Sequence, residues 1–570
     1  MNFYQFIIPR LNGKDIEKNF DYYHRLVKKG IAGFIIFGGR LETVRQGIIE
    51  LQKASKKPLI IASDLEQGLG QHIEGGTIFP PAMAIASAIR SCRLSAISSQ
   101  QIKLLRKVFR AMAIEARYAG INTIFAPVLD INTNPRNPII STRAFGEDTE
   151  TVSFFGCEMI KILQANGISA CGKHFPGHGD TEIDSHIGLP LIKKDLQSLK
   201  KTELVPFRNA VREGVKMIML GHLKVPALDP SGIPASLSEK VVRYIRDKMR
   251  FKGILITDAL NMHALMQIVQ NIKSPHPPFA KGGRGGIFEI ASPSARNDRI
   301  GPTIEEEASL MALRAGVDLL LHPTDVDKVV AYLENTNLDC RSSVKRLNEF
   351  RKTCQALRIT PYCDFEKHRE LSEELTRRAI RITGQIKPIK KPFLIILNDD
   401  ADNPSPIPSD KSPHPPFTKG GRGGILEKAM ARRGGEGGFD DESRAVRGDK
   451  SLCEKGRVFA EKLKEKFPDL KLQIINRSSK IQKLTPPDNA FVIVAIFSET
   501  KAWKGGPSPW LLKCIKKLEE IAEIFISFGS PYILPTPTPL PQGEGARGRG
   551  AKIYAYWDSE SAQKAVAELF

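Results

Sequence analysis

A run of fourteen residues concentrates side chains that can do chemistry. Residues 173–186 read Lys-His-Phe-Pro-Gly-His-Gly-Asp-Thr-Glu-Ile-Asp-Ser-His. The run holds three histidines, two aspartates, one glutamate and one lysine, and its glycines and proline exclude a regular helix. Loops on rigid scaffolds are where catalytic groups concentrate. Two kinds of chemistry fit these residue types: binding of a metal ion, or acid/base catalysis.

The metal interpretation would take imidazole and carboxylate ligands from this run. The candidate ligands are His174, His178, Asp180, Asp184 and His186. Their spacing does not match the helical H-E-x-x-H pattern of a zinc site, and Pro176 and two glycines interrupt the run. A metal stays possible but is not favoured, so we expect neither a metal nor another cofactor.

The acid/base interpretation rests on Asp184 and His186. Two residues apart in a turn, a carboxylate can orient an imidazole and stabilise its cation. An ordinary histidine pKa of about 6.5 allows proton transfer in both directions near neutral pH. The candidate nucleophile is Asp258, which directly follows the apolar run 253–257. An aspartate there could instead cap the next helix, but opposite an acid/base it is what a retaining glycoside hydrolase requires.

Eight apolar runs suited to buried parallel strands would position these residues. They span residues 3–8, 32–37, 58–63, 122–129, 168–172, 215–220, 253–257 and 317–321. Helix-compatible segments lie between them, at 41–55, 101–118, 149–166, 196–213 and 305–315. This alternation predicts an α/β fold with a (β/α)8 barrel of the TIM type rather than an open doubly wound sheet.

Ionisable residues follow six of these runs, at the point where each strand is expected to end. They are Asp64, Asp130, Lys173 with His174, His222, Asp258 and His322. Barrel enzymes build their active sites from the C-terminal ends of the strands. A single such residue would be interpreted as a loop residue facing water, but six in register predict a shared site.

The length of 570 residues predicts more than one domain. We expect 1–325 to form the catalytic barrel, 326–390 a helical closure and linker, and 391–570 a smaller α/β sandwich domain. Inserts rich in proline and glycine are expected at 271–300, about 402–455 and 534–551. The peptide at 273–287 recurs at 411–425 with one substitution, which is typical of inserted sequence. The alternative for these stretches is an Arg-Gly-Gly-type contact with RNA.

Composition and charge exclude several classes of protein. A hydrophobic content of 41% with 26% charged residues is typical of a soluble globular chain, and no apolar run is long enough for a membrane span. The net charge of +21 is spread along the chain without a recognition helix, so we expect no nucleic-acid partner. Eight scattered cysteines and the lack of a signal peptide predict a cytoplasmic protein with reduced thiols. The oligomeric state stays open.

Several motifs resemble those of glycoside hydrolase family 3, in its β-N-acetylglucosaminidase branch. The run 173–186 followed by Leu189-Pro is similar to the signature of that branch, and Ile256-Thr-Asp258-Ala-Leu-Asn-Met is similar to the nucleophile motif of the family. Further similarities lie at residues 125–132, 143–148, 222, 226–229, 234–238, 527–532 and 556–560. The resemblance covers nearly the whole chain outside the expected inserts.

The resemblance implies a retaining exo-β-N-acetylglucosaminidase that acts on terminal β-linked N-acetylglucosamine, in muropeptides or related glycosides of cell-wall recycling. Asp258 would attack the anomeric carbon to form a glycosyl-enzyme. His186, oriented by Asp184, would protonate the leaving oxygen and then activate water. By similarity, the hydroxyl groups of the sugar would be bound by Asp64, Arg143, Lys173 and His174. The partner is therefore expected to be a small carbohydrate.

Three alternatives stay open beside this function. Transfer to phosphate is one, because a neutral imidazole base would not repel a phosphate dianion as a carboxylate would. A β-glucosidase of the same family is the second, and a sugar-binding protein whose inserts impair catalysis is the third. One departure from the family pattern is His72, which stands where an arginine is usual after Asp64-Leu-Glu66. We therefore expect sugar recognition to differ near His72.

Overall fold

The structure is a computed structural model. It describes residues 1–89, 94–181, 189–262, 265, 304–355, 360–385, 389–398, 456–476, 486–487, 490–498, 508–519, 521–534 and 551–570. The expected inserts at 271–300 and 402–455, and all but the two end residues of 534–551, lie outside the described residues. The candidate acid/base pair, Asp184 and His186, also lies outside them.

The first part of the chain forms a barrel of eight parallel strands. Strand β1 has two segments, Ile7–Ile8 and Arg10–Asn12, on either side of Pro9, which has no N–H to donate. The other strands are β2 (Gly33–Phe37), β3 (Ile60–Ser63), β4 (Thr123–Ile124), β5 (Ser169–Phe175), β6 (Met217–Leu220), β7 (Ile254–Ala259) and β8 (Leu319–Leu321). The first segment of β1 pairs with β8 and the second with β2, so the sheet closes on itself.

Helices alternate with these strands and share one continuous apolar core with them. They are α1 (Phe20–Lys29), α2 (Leu41–Ala54), α3 (Ala82–Ile89), α4 (Ser99–Ala119), α5 (Thr149–Ala165), α6 (Leu196–Lys201), α7 (Leu204–Arg212), α8 (Glu239–Arg243) and α9 (Ile304–Ala315). The longest, α4, shows why such segments are helical and where they end. Ser98 and Gln101 form a capping box at its start, and Gly120 ends it with a left-handed φ of 87°.

All eight predicted strands are present, but several differ in extent from the prediction. The first run, 3–8, forms a 3-10 helix at Phe3–Phe6 and is a strand only from Ile7. The seventh extends to Ala259, so Asp258 lies within the strand rather than after it. The fourth is only Thr123–Ile124 instead of 122–129, although backbone hydrogen bonds with β5 continue as far as Leu129, and Pro127 has no N–H to donate on the other side. The fifth extends to Phe175, so Lys173 and His174 belong to the strand itself. The single helix predicted at 196–213 is two helices, α6 and α7. This break places Pro206 in the first turn of α7, where its missing N–H costs no helical hydrogen bond.

Three helices follow the barrel and lead to a second sheet. They are α10 (Val326–Glu334), α11 (Arg341–Gln355) and α12 (Phe365–Ala379). Helix α12 packs against α3 of the barrel, and the Ser372 hydroxyl donates to the carbonyl of Ile78 at 2.7 Å. The domain boundaries expected at 325 and 390 stay predictions.

The second sheet has six strands with apolar cores on both faces. Its strands are β9 (Arg381–Thr383), β10 (Pro392–Asn398), β11 (Lys471–Asn476), β12 (Phe491–Ser498), β13 (Ile524–Gly529) and β14 (Ala551–Tyr554). The spatial order is β9-β14-β13-β12-β10-β11, antiparallel only between β9 and β14. Helices α13 (Arg457–Lys466), α14 (Pro509–Leu518) and α15 (Glu560–Ala567) accompany it. The predicted fold class, a barrel followed by an α/β sandwich, is confirmed.

The second sheet contacts the barrel through α3. Met83 and Ala84 of α3 belong to one of its two apolar cores, and Ser87 Oγ lies 3.2 Å from the Tyr556 hydroxyl. Among the described helices, none combines the length and the apolar character that a membrane span needs.

Candidate active site

The rim formed by the C-terminal ends of the barrel strands carries the residues that the sequence predicted there. Asp64 directly follows β3, Lys173 and His174 lie near the end of β5, and Asp258 is the last residue but one of β7. Because all the strands are parallel, these ends lie at the same edge of the barrel. The loops after β4, β6 and β8 add Asp130, His222 and His322.

Four charged side chains form a compact cluster at this rim. The ammonium nitrogen of Lys173 lies 2.6 Å from Oδ1 of Asp64 and 2.7 Å from Oε1 of Glu66. Arg143 donates to both oxygens of Glu66, from Nε to Oε2 at 2.9 Å and from Nη2 to Oε1 at 2.7 Å. Two carboxylates therefore face two cations, and the cluster is neutral as a whole.

These charges hold one another in the ionised form. Burial raises the pKa of Glu66, but the positive charges of Arg143 and Lys173 outweigh burial and lower this pKa overall. Burial lowers the pKa of Lys173, but Asp64 and Glu66 outweigh it and raise this pKa overall. Asp64 has the most exposed side chain of the four, at 27%. Asp64 is therefore the carboxylate best placed to accept hydrogen bonds from a ligand in the barrel mouth.

Sequence reasoning assigned sugar binding to Asp64, Arg143 and Lys173 and gave Glu66 no role. The structure brings all three together around Glu66. A guanidinium has five N–H groups. Arg143 donates two of them to Glu66 and a third to the carbonyl of Ile139 at 3.1 Å. The sequence feature that could have pointed to Glu66 is its spacing in Asp64-x-Glu66, directly after a strand.

A buried aspartate, Asp130, organises the start of the histidine-rich loop. Its Oδ2 lies 2.7 Å from Nδ1 of His174, and its Oδ1 accepts the backbone N–H of His178 at 2.7 Å. Burial raises the pKa of Asp130, but the neighbouring His174 and His178 lower it overall. An ionised Asp130 can only accept, so it places a proton on Nδ1 of His174 and fixes the orientation of that ring.

His178 and Asp180, two of the candidate metal ligands, form hydrogen bonds with threonine hydroxyl groups of the protein. Nδ1 of His178 lies 2.7 Å from the Thr181 hydroxyl, and burial lowers the His178 pKa to about 4, so this ring is neutral. Asn137 donates to the carbonyls of His178 and Thr181 at 2.8 and 3.0 Å. Asp180 accepts from the Thr133 hydroxyl at 3.2 Å. These two candidate metal ligands therefore bond to neighbouring residues of the protein in the described part of the loop.

Asp258 has a half-buried side chain whose Oδ1 accepts the N–H of Ala259 at 2.8 Å. His222 supports the same stretch, because its Nε2 donates to the carbonyl of Ala259 at 3.0 Å while its Nδ1 lies 2.7 Å from the Ser236 hydroxyl. The Asp258 charge acts on the pKa values of His178 and Cys171 from the neighbouring strand and loop. Asp258 therefore belongs to the same rim as the residues of β5.

Two further histidines lie beside Asp64. The His72 ring meets the Phe37 ring edge-on with 4.8 Å between centroids, and burial lowers the His72 pKa. Its Nε2 is buried and has no hydrogen-bond partner among the described residues. Burial lowers the pKa of His322 to about 4. Neither histidine therefore adds positive charge next to the balanced cluster near neutral pH.

This geometry agrees with what comparison with known proteins finds. The model of the glycosyl hydrolase family 3 N terminal domain matches residues 4–279. The beta-hexosaminidase of Pseudomonas aeruginosa is 31% identical over 235 residues, which are 41% of this chain and 67% of that protein. The chain belongs to glycosyl hydrolase family 3.

Two further comparisons concern the length of the match and the fold. Beta-hexosaminidase A of Pseudoalteromonas piscicida is 32% identical over 284 residues, which are 46% of each chain, so the match spans about half of that relative. A family 3 β-N-acetylglucosaminidase from Paenibacillus sp. FPU-7 has a TM-score of 0.69 at 24% identity, covering 100% of this chain and 95% of that one. The fold of that structure, with both sheets, is shared by this chain.

Proposed function

We propose that this family 3 chain is a retaining exo-β-N-acetylglucosaminidase that hydrolyses terminal β-linked N-acetylglucosamine from muropeptides or related glycosides. The observation that carries the proposal is the neutral cluster of Asp64, Glu66, Arg143 and Lys173 at the same barrel rim as Asp258. Relatives named beta-hexosaminidase support the sugar. Six described cysteines are free thiols, which supports a reducing, cytoplasm-like compartment.

In the first step of the proposed reaction, a carboxylate oxygen of Asp258 attacks the anomeric carbon. The bond to the leaving oxygen breaks, and that oxygen takes a proton from the imidazolium of His186. The carboxylate of Asp184 orients this ring and stabilises its cation. The product of the step is a glycosyl-enzyme with an ester bond to Asp258.

In the second step, the neutral His186 removes a proton from water, and the water oxygen attacks the anomeric carbon. The ester bond breaks, Asp258 leaves as a carboxylate, and the configuration of the sugar is retained. Asp64, Lys173 and His174 would hold the hydroxyl groups of the sugar, and Arg143 would act chiefly by holding Glu66. This is a narrower role for Arg143 than direct sugar binding.

The test is to trap the glycosyl-enzyme with a 5-fluoro N-acetylglucosaminyl donor and to locate the label by peptide mass. We expect the label on the peptide that contains Asp258. Asp258→Ala should abolish both turnover and labelling, and Asp184→Ala should slow turnover by a smaller factor. The control is Asp247→Ala, at an exposed site between α8 and β7, which should change neither turnover nor labelling. Normal turnover by Asp258→Ala, or a label on another residue, would overturn the proposal.

The same protein separates the alternative functions. Sugar 1-phosphate formed in the presence of inorganic phosphate would favour transfer to phosphate, and faster cleavage of glucosides than of N-acetylglucosaminides would favour a β-glucosidase. Saturable sugar binding without any turnover would favour a sugar-binding protein that has lost catalysis.

A further inference from the structure

Three metal-ligating side chains converge outside the proposed active site, where α12 meets the barrel. Glu115 lies in α4, Cys363 lies just before α12, and His368 lies in the first turn of α12. Their donor atoms all lie within 4.8 Å of one another. Nδ1 of His368 is 2.9 Å from Oε1 of Glu115 and 3.8 Å from the sulfur of Cys363.

We propose that Glu115, Cys363 and His368 bind a zinc ion. A tetrahedral zinc ion with bonds of about 2.3 Å to sulfur and about 2.0 Å to nitrogen and oxygen separates S from N by about 3.5 Å, and N from O by about 3.3 Å. The observed separations of 3.8 and 2.9 Å lie close to both values. The third pair, the Cys363 sulfur and a Glu115 oxygen, lies within 4.8 Å, and side-chain rotations that bring it to about 3.5 Å would place an ion between the three donors.

The arrangement does not fit a catalytic triad of cysteine, histidine and carboxylate. In a triad the nucleophile and the carboxylate contact different ring nitrogens of the histidine. Here both the Cys363 sulfur and the Glu115 oxygen face the same nitrogen, Nδ1 of His368. Burial raises the pKa of the Cys363 thiol to about 12, with Glu115 and Asp364 adding to the effect, so the thiol is not activated for attack.

The surroundings hold the carboxylate in a ligand-like orientation. Oε2 of Glu115 accepts the N–H of Thr77 at 2.9 Å, which turns Oε1 towards His368. Such outer hydrogen bonds commonly orient metal ligands. Glu115 is buried, but Cys363 and His368 are half-buried, so water could complete the coordination as a fourth ligand. The ion would join α4 to α12 beside the β3–α3 loop and would act on stability rather than on chemistry.

The test uses the full-length protein, stripped with a chelator and titrated with zinc chloride and then with cobalt(II). We expect one equivalent of zinc to bind, a rise in Tm with bound metal, and a thiolate-to-cobalt charge-transfer band in the absorption spectrum. Cys363→Ser should lose the band, and Cys363→Ser and His368→Gln should each weaken zinc binding by about tenfold or more. Cys157→Ser, at the other described cysteine that is half-buried, should behave as the wild type.

Two results would overturn the site. One is less than one equivalent of zinc on the wild type, and the other is unchanged zinc affinity and an unchanged cobalt band in Cys363→Ser. Either would leave the cluster as a hydrogen bond between Glu115 and His368. If His368→Gln fails to fold, the cobalt spectrum of Cys363→Ser decides alone. Because the readouts are binding, spectrum and Tm, they do not depend on the proposed glycosidase activity.

Discussion

Replacing Glu66 by glutamine would remove one negative charge from a cluster in which two carboxylates balance two cations. The side-chain oxygen of glutamine could still accept from Lys173 and from Nη2 of Arg143. Its amide NH2 would then face the Nε–H of Arg143, donor against donor, where Oε2 of Glu66 accepts at 2.9 Å. The variant therefore loses one hydrogen bond, weakens two others and leaves a buried net positive charge.

We expect Glu66→Gln to lower the free energy of unfolding of the barrel by about 3–5 kcal/mol, the range for breaking a buried ion pair. Solvent screens this pair little, because the side chains of Lys173 and Glu66 are only 2% and 8% exposed. The matched control is Glu158→Gln, since Glu158 pairs with Arg106, whose side chain is 52% exposed. The two cations beside Glu158, Arg106 and Lys161, are 52% and 46% exposed, so water screens these pairs, and screened pairs contribute about 0–1 kcal/mol.

The assay is urea unfolding followed by far-UV circular dichroism and by tryptophan fluorescence. All three tryptophans lie beyond residue 391, so their fluorescence reports the second domain, whereas circular dichroism also reports the barrel. The barrel transition should move to lower urea, and kcat/KM should fall about tenfold to a hundredfold because Asp64 and Lys173 lose their fixed positions. If Glu66→Gln lowers the free energy of unfolding no more than Glu158→Gln does, the claim that Glu66 stabilises the barrel by balancing two buried cations is wrong.

Three further predictions concern groups around this cluster. His178 and His322 have folded pKa values of about 4, below the ordinary 6.5, so the unfolded chain binds more protons between these values. Stability should therefore fall as pH drops from about 6.5 towards 4, and a flat Tm over this range would contradict the burial of these rings. Asp130→Asn should lower stability by about 1–3 kcal/mol and also lower kcat/KM; unchanged kinetics would deny it a role in orienting His174. Tyr532→Phe removes the hydrogen bond to Glu147 at 2.6 Å and should lower kcat/KM several-fold. An unchanged kcat/KM would show that this contact between the second domain and the barrel loop has only a structural role.

The strands and the rim residues were predictable because apolar runs and their ends are local features of the sequence. The partners of those residues were not, because they come from distant positions. Glu66 meets Arg143 across 77 residues and Asp130 meets His174 across 44, while Glu115 meets His368 across 253. No sequence pattern links such pairs, and they meet only when the barrel has formed and, for Glu115 and His368, when α12 has packed against it. The predicted length of the fourth strand was wrong, because the regular strand is only Thr123–Ile124 within the apolar run 122–129.

One loop does most of the positioning at the rim, namely residues 125–148 between β4 and α5. It supplies Asp130 to His174 and His178, Asn137 to the carbonyl of Thr181, and Arg143 to Glu66. It therefore braces the carboxylates after β3 and the lysine and histidine of β5 at the same time. Through Asn137 it also holds Thr181, on the N-terminal side of the segment that carries the proposed acid/base. On the C-terminal side of that segment, Lys224 in the loop after β6 forms backbone hydrogen bonds with Pro190 and Ile192, both at 2.9 Å. Because the Tyr532 hydroxyl of the second domain donates to Glu147 of this loop at 2.6 Å, we expect that domain to influence the proposed sugar binding and the proposed proton transfer through the same loop.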